Sequence, residues 1–568
     1  MRSTRLIQVK KILFGLFLVL TVNMAGQSPN WAWAQAHAGP GLGGEGINAI
    51  THDNFGNIIY TGTSYSSSLN FGSQNYTTPG SGGDIFVAKS DTNNNLIWVK
   101  LFGSSQIDWS TSITTDTQGN IYLAGYFDGA TTTFGSITLI NDSSGKSDMM
   151  LVKLSPNGNV IWAKNWGGKN SDELNKIIYD QSSNTLIGCG YFKSKTMNFG
   201  TTQLTNDTTN YSSDIFVVKI DTSGNPIWAK SYGGNDNETA TAITSDLNGN
   251  IYLAANFKSD NITVGATNYS IMGGNDLLLV KLSPVGNLIW SNRKSTGNVG
   301  NLIAESIAVD ANNQLYISGN YGISVTFGNQ TLNVVGGQDA FLLATDANAS
   351  PLWSKNLGSS FIDFAKNVEL DQMGNVIVSG FFGGDSLRLN LANLPSAGGY
   401  DNFVAKYSNT GQQLWGVRYG GSGFDYCYSI SAYKNSVYVA GKFLSSSIVF
   451  GTNTINGVGG ADIFVAKLSG GTLVSINENS FDNEISIFPN PFSETISIKK
   501  VNNLEKTHYI ISDFSGRIYI DTYKKNDKIK IISPDLIEIN LKDLSSGMYL
   551  ITEIKNGEKA ISRKIIKN

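Results

Sequence analysis

Six acidic residues occupy one recurring place in this 568-residue chain. Glu45, Asp108, Asp172, Glu238, Asp363 and Asp425 each lie five positions before the first apolar residue of a short segment, at Ile50, Ile113, Ile177, Ile243, Val368 and Ile430. A further copy carries Leu302 there, with Glu305 close by. Carboxylates brought together hold calcium through several oxygens. In pairs they cleave glycosidic bonds. An Asp or Glu in a Gly-rich loop has a third use, accepting hydrogen bonds from backbone amides and fixing the turn. Gathering the six around one opening favours a cation or sugar site; keeping them apart favours capping.

Other reactive patterns are missing from the sequence. It has no Gly-x-Ser-x-Gly elbow, no His-Glu-x-x-His, no phosphate loop and no dinucleotide fingerprint. Three histidines (His37, His52, His508) and two cysteines (Cys189, Cys427) are too few for a histidine-rich metal site or a disulfide framework. We therefore assign no catalytic and no cofactor-binding residue. Calcium is the one ion the six carboxylates would suit. With 15% charged residues, 11% aromatics and a net charge of -3, the chain is neither disordered nor the basic type that binds nucleic acid.

The elements that must position the carboxylates come from a repeat. Asp84-Ile-Phe-Val-Ala-Lys89 recurs from Asp148, Asp214, Asp276, Asp339, Asp401 and Asp462, at spacings of 64, 66, 62, 63, 62 and 61. Segments such as Gly119-Asn-Ile-Tyr-Leu-Ala-Gly125 and Ser306-Ile-Ala-Val-Asp310 precede each copy, and a tryptophan segment follows the first six. All are short, rich in β-branched and aromatic residues, and bounded by Gly, Asn, Asp and Ser, as strands and hairpins are. Four strands repeated seven times predict an all-β, seven-bladed β-propeller with four-stranded blades.

The last repeat lacks its tryptophan strand, and the missing piece is at the N-terminus. Trp33-Ala-Gln-Ala-His-Ala-Gly39 has the spacing of Trp162-Ala-Lys-Asn-Trp-Gly-Gly168. The series Trp33, Trp98, Trp162, Trp228, Trp290, Trp353 and Trp415 is read as packing, with the first strand closing the ring and removing exposed sheet edges. Residues 1–26 have the basic start and short apolar run of a signal peptide, with cleavage near Ala25 or Gly26. A competing site at Ala32-Trp33-Ala34 would cut the closing strand. The expected divisions are 1–26 signal peptide, 27–471 propeller, 472–484 linker and 485–568 a small Ig-like β-sandwich. The last 96 residues carry 14 Lys+Arg and 13 Asp+Glu, a marked rise in charge.

The repeat pattern, with Phe-Gly pairs at 71–72, 134–135, 199–200, 327–328 and 450–451, resembles the SBBP-type β-propeller repeat of bacterial secreted proteins over about residues 29–469. At the C-terminus five motifs appear in order: Phe488-Pro489-Asn490-Pro491, Asp513-Phe-Ser-Gly516-Arg517, Asn540-Leu-Lys-Asp-Leu544, Gly547-Met-Tyr549 and Lys564-Ile-Ile-Lys567-Asn568. They resemble the type A C-terminal sorting domain of type IX secretion cargo, a family of Bacteroidota. That resemblance implies a partner in the type IX machinery, passage through the periplasm, and a product released or held at the outer-membrane surface. The first resemblance implies a fold but no activity. The expected role is a non-enzymatic binding or adhesion module for a glycan or protein, with connectors such as Phe382–Gly399 and Ile271–Asn275 as candidate contacts. The competing reading is a polysaccharide hydrolase or lyase that uses the carboxylate ring.

Overall fold

The computed structural model describes residues 29–39, 44–206, 211–297, 299–389, 391, 393–469, 485–488, 492–500, 508–512, 518–522, 527–533, 536–545, 547–555 and 558–567. The expected signal peptide and linker lie outside these, as do Pro489, Asn490, Pro491, Asp513, Gly516 and Arg517 of the sorting motifs. The chain divides into two compact units, Met1–Gly471 and Thr472–Asn568. All regular structure among the described residues is β.

Each repeat of the first unit builds one four-stranded antiparallel sheet, and there are seven such sheets. In the second repeat Asp108–Thr115, Ile121–Phe127, Asp148–Leu154 and Val160–Trp166 lie side by side in that order. Ile121–Phe127 and Asp148–Leu154 are buried at nearly every position, because both faces of the sheet are covered. Residues such as Ile121, Leu123, Met150 and Val152 share a core with Ile59, Ile85 and Val87 of the preceding sheet. The apolar runs of the sequence are therefore strands sandwiched between neighbouring sheets.

The hairpin chemistry is local. Asp116 accepts from the backbone amides of Gln118 and Asn120, both at 2.9 Å, and from the Asn120 side chain at 2.8 Å, while Gly119 takes a φ of 79°. The structure adds an element that the sequence reading lacks. Between the second and third strand of each sheet stands a separate two-stranded hairpin, such as Thr131–Phe134 with Ile137–Ile140. The Phe-Gly pairs are its turns: Phe134 is buried and Gly135 has a φ of 61°.

The first strand, Asn30–His37, lies antiparallel to Asp462–Ser469 and completes the last sheet, with Trp33 opposite Lys467 and Ala36 opposite Phe464. The tryptophans do more than pack. Most are only half-buried, and six of the seven donate Nε1–H to a carbonyl in a turn of the next sheet. Trp98 bonds Pro156 O at 3.1 Å, Trp162 bonds Thr222 O at 3.2 Å and Trp228 bonds Pro284 O at 3.3 Å. Trp290 reaches Ala347 O at 3.1 Å and Trp353 reaches Asn409 O at 2.9 Å. Trp33, in the last sheet, reaches Thr92 O of the first at 3.2 Å. Trp415 packs against the last sheet's core.

The innermost strands are joined in the same cyclic order. Asn48 bonds Ser110 O at 2.7 Å, Thr111 bonds Leu174 O, Asn175 bonds Ala240 O at 2.9 Å and Thr241 bonds Ala304 O at 2.8 Å. Lys366 pairs with Glu305 at 2.6 Å and Asn367 bonds Tyr428 O at 3.0 Å. The amide of Ile50 donates to Ser429 Oγ at 3.2 Å, which returns the series to its first strand.

The second unit holds two four-stranded antiparallel sheets, one containing Thr495–Lys500 and Leu536–Asn540, the other His508–Ser512 and Gly547–Lys555. Ile496, Ile498 and Ile537 of one share a core with Ile511, Tyr549 and Ile565 of the other.

Candidate functional site

The six acidic residues begin the innermost strands, and all are 0–2% exposed. Asp172 accepts from the amides of Lys193 and Ser194 at 2.9 and 3.0 Å and from Ser194 Oγ at 2.7 Å. Asp363 accepts from Ser359 N, Ser359 Oγ and Gly383 N at 2.6, 2.6 and 3.2 Å. Glu238 takes Gly234 N and Ser259 N, both at 3.0 Å, and Asp425 takes Gly421 N at 2.7 Å and Ser445 Oγ at 2.8 Å. Asp108 holds Ser104 N at 2.6 Å, and Glu45 is bonded by Ser66 Oγ. Each carboxylate thus ties the loop before its strand, or the connection after the second strand, to its own sheet. Leu302, in the same place, is buried without such bonds. Glu45, Asp108, Asp172, Glu238, Asp363 and Asp425 are buried and hydrogen-bonded, not solvated. Among the described residues no three His, Cys, Asp or Glu side chains come together as a metal group.

A second carboxylate accompanies most of them. The Asp that opens each Asp-Ile-Phe-Val-Ala-Lys copy is buried too, and the acidic residue of the following sheet stands beside it. Asp108 N donates to Gly83 O at 2.7 Å, Asp172 N to Ser147 O at 2.7 Å, Asp363 N to Gln338 O at 2.8 Å and Asp425 N to Tyr400 O at 2.9 Å. The amide of Glu45 closes the cycle on Ala461 O at 3.2 Å. These backbone links bring Asp84 near Asp108, Asp148 near Asp172, Asp339 near Asp363, Asp401 near Asp425 and Asp462 near Glu45. Burial foremost, with the neighbouring charge adding to it, pushes Asp84 and Asp148 up to about 6 and Glu45 and Asp363 up to about 7. Burial likewise raises Asp172 to about 6, and moves Asp108, Glu238 and Asp425 upward.

At three of the seven strand ends the residue beside the acidic position is aromatic. Every innermost strand carries a β-bulge near its start, for example between Ser110 and Ser112 or between Cys427 and Ser429. Successive strand residues point to opposite faces, so the side chain after each acidic one is turned away from it. The residue directly after the acidic position is Gly46, Trp109, Glu173, Thr239, Ile303, Phe364 or Tyr426, and all except Gly46 are large enough to line the rim. In the sixth and seventh sheets the rings join. Phe364 lies 4.9 Å from Phe381, which is 5.0 Å from Tyr426 and 5.5 Å from Tyr400. Tyr400 is 5.6 Å from Phe424 and 6.3 Å from Phe361. Phe361 and Phe424 are about half exposed. Tyr428 stacks on Tyr426 with rings 6.0 Å apart and 5° from parallel. The Lys442 ammonium stands 5.4 and 5.6 Å from those two ring centres. The sequence reading missed this group, although an aromatic directly after the acidic residue at 109, 364 and 426 was a visible signal.

The first strands of the third and sixth sheets carry one more charged couple. Lys176 of the third sheet and Glu369 of the sixth lie in each other's field, and Glu369 accepts from Ala432 N at 2.7 Å. Burial pushes Glu369 up to about 7 and pulls Lys176 down. Cys189 and Cys427 are buried free thiols, and burial raises both. In the second unit, Lys567 donates to the carbonyls of Ser493, Leu541 (3.1 Å) and Lys542 (3.4 Å). Tyr549 OH bonds Ser545 O at 2.9 Å. Gly547 pairs with Lys567 and Leu550 with Lys564 across the last two strands.

Seven repeated four-stranded sheets, followed by a separate β unit, define an all-β, propeller-like repeat protein. Residues 97–129 match the family described as Beta-propeller repeat, and residues 486–568 match the Secretion system C-terminal sorting domain. Both resemblances drawn from the motifs are thus found, and the sorting domain implies engagement by the type IX machinery and export to the cell surface or beyond. No helix among the described residues is long and apolar enough to cross a membrane. An uncharacterized WD repeat-containing protein of Acanthamoeba polyphaga mimivirus is 23% identical over 399 residues, 58% of this chain and 28% of that protein. Regulatory protein FlaEY of Caulobacter vibrioides is 24% identical over 352 residues, 58% of this chain and 35% of that protein. The chain matches about a third of the length of these curated relatives. Among solved structures, the WD40 β-propeller domain of Doa1 aligns at a TM-score of 0.39 and 9% identity over 77% of this chain and 97% of that one. PorZ, a surface component of the type-IX secretion system of Porphyromonas gingivalis, aligns at 0.21 and 9% over 92% and 81%.

Proposed function

We propose that this protein is a non-enzymatic binding or adhesion module, presented outside the cell on a closed seven-bladed propeller and delivered by an Ig-like C-terminal sorting domain. The seven four-stranded sheets, the first strand seated in the last sheet and the side-chain links that return to their starting strand support the closed wheel. Two sheets sharing one core support the sandwich. Export starts with the signal peptide at 1–26 and ends with recognition of 485–568, as in Bacteroidota cargo.

The observation that carries the binding role is the opposite fate of two side-chain sets at the same strand ends. The carboxylates a hydrolase or lyase needs are 0–2% exposed and bonded to loop amides, so they reach no substrate. Of the aromatic rings beside them, Phe361 and Phe424 are about half exposed and Phe364, Tyr400 and Tyr426 are partly so. Binding assays against a glycan array and surface proteins, run alongside hydrolysis assays on the same glycans, test this. Binding without product is expected. Product that disappears in the Asp108→Asn, Asp172→Asn double variant would establish the enzymatic reading instead. Deleting 485–568 should leave the propeller in the periplasm.

A further inference from the structure

We infer that the aromatic rim of the sixth and seventh sheets is a binding site for an acidic glycan, one containing uronic acid residues. This rests on the binding role proposed above and names its ligand class.

Lys442 is half-buried, and among the described residues no carboxylate lies within ion-pair distance of it. Burial alone pulls its ammonium down, with no charge opposing. In the adjoining sixth sheet Lys366 is matched by Glu305 at 2.6 Å and Arg418 by Asp401 at 3.1 Å. An unmatched cation in a partly desolvated place is complementary to an anion. The rings specify what carries that anion. Phe424 and Phe361, about half exposed, offer apolar ring surface to C–H groups, and Tyr400, Tyr426 and Tyr428 add hydroxyls that bond no described residue. A pyranose meets both demands, with apolar C–H faces and hydroxyl edges, and a uronate adds a carboxylate for Lys442. A protein partner would need roughly 800 Å² on its side. This cluster is six accessible rings packed around buried Phe381, with one ammonium, in two neighbouring sheets.

Specificity then divides between two groups of residues. The rings hold the sugar by contact that is indifferent to charge. Lys442, held over Tyr426 and Tyr428, selects the charged sugar over its neutral form. Neither acts on a bond, so the ligand is retained unchanged.

The test uses the full exported chain and calorimetric titration with hexamers of galacturonate, mannuronate and glucuronate. The methyl ester of each keeps the sugar and removes the charge. At least one acid hexamer is expected to bind at least about tenfold more tightly than its ester. Phe424→Ala and Tyr426→Ala should each weaken it about tenfold or more. Lys442→Gln should reduce the acid to the level of its ester, and Lys442→Arg should restore part of the difference. Phe424 is an exposed ring, so that variant keeps the reading testable if Tyr426→Ala fails to fold. Equal binding of acid and ester, with both weakened by Phe424→Ala, would overturn the acidic ligand and leave a saccharide-binding rim. No binding of any hexamer, or binding untouched by Phe424→Ala, would overturn the site itself. Shortened products recovered after titration would overturn the non-enzymatic role instead.

Discussion

Replacing Trp33 with alanine tests whether the first strand fastens the last sheet to the first. The indole is half-buried, so about half of the 150–250 Å² a tryptophan buries is at stake, or about 2–3 kcal/mol at about 25 cal/mol per Å². The bond from Nε1 to Thr92 O, 3.2 Å long, adds about 1 kcal/mol. That carbonyl keeps Lys467 Nζ at 3.2 Å, so the substitution orphans no acceptor. Because an unfolded chain already buries some of this area, the expected loss is about 3 kcal/mol. A cooperative unit of roughly 440 residues unfolds with about 0.9 kcal/mol/K of entropy, so the melting midpoint should fall by about 3 °C. Scanning calorimetry resolves that shift. Hydrogen exchange supplies the sharper readout: amides of Asn30–His37 and Asp462–Ser469 should lose protection first. Trp98→Ala removes an equivalent bond, to Pro156 O, between two sheets that follow each other in the chain. Its loss should leave the Asn30–His37 amides protected. A Trp33→Ala protein with an unchanged midpoint and unchanged exchange in these strands would refute the closure argument.

The buried carboxylates predict an acid-favoured fold. Their folded-state values are raised, to about 6 for Asp84, Asp148 and Asp172 and about 7 for Glu45 and Asp363. The stability they contribute is therefore complete below the ordinary carboxylate range and lost as pH rises through 6 to 7. His37, lowered to about 4 by burial, and His52, lowered by burial as well, oppose this below pH 6.5 but are two groups against five. The midpoint should be higher at pH 5 than at pH 8, and the reverse order would refute the assignment. Asp172→Ala strands the amides of Lys193 and Ser194 and should cost about 2–4 kcal/mol in denaturant titration, with Asp172→Asn milder. Because capping leaves no site for a cation, exchanging calcium for a chelator should move the midpoint by less than about 1 °C, an outcome that a several-degree shift would overturn. Sequencing the mature N-terminus should find it before Asn30, since cutting at Ala34 would divide a strand paired from Asn30 to His37.

Much of the fold was legible in the residues because it is written in short range. Asp116 and Gly119 define a turn through bonds spanning four residues, and Ile121–Phe127 is apolar because it is a strand covered on both faces. The spacing of Trp33 against Trp162 identified the strand that completes the last sheet, since sheet completion only asks which segment is missing. The added Phe-Gly hairpins escaped notice because four residues per strand leave little periodicity to read.

The site was half legible for a different reason. Sequence alone set the six carboxylates at equivalent places, and equivalence holds whether they meet at an opening or turn away from it. Which of these happens is decided by loop amides such as Ser194 N and Gly421 N that no local pattern aims. The pairing of Asp84 with Asp108, the contact of Phe381 with Tyr426 and the bond from Trp33 to Thr92 O all depend on which sheets stand side by side. Hydrogen bonds within a hairpin are properties of its own segment; contacts between sheets follow from packing the whole chain, and only the tertiary structure contains them.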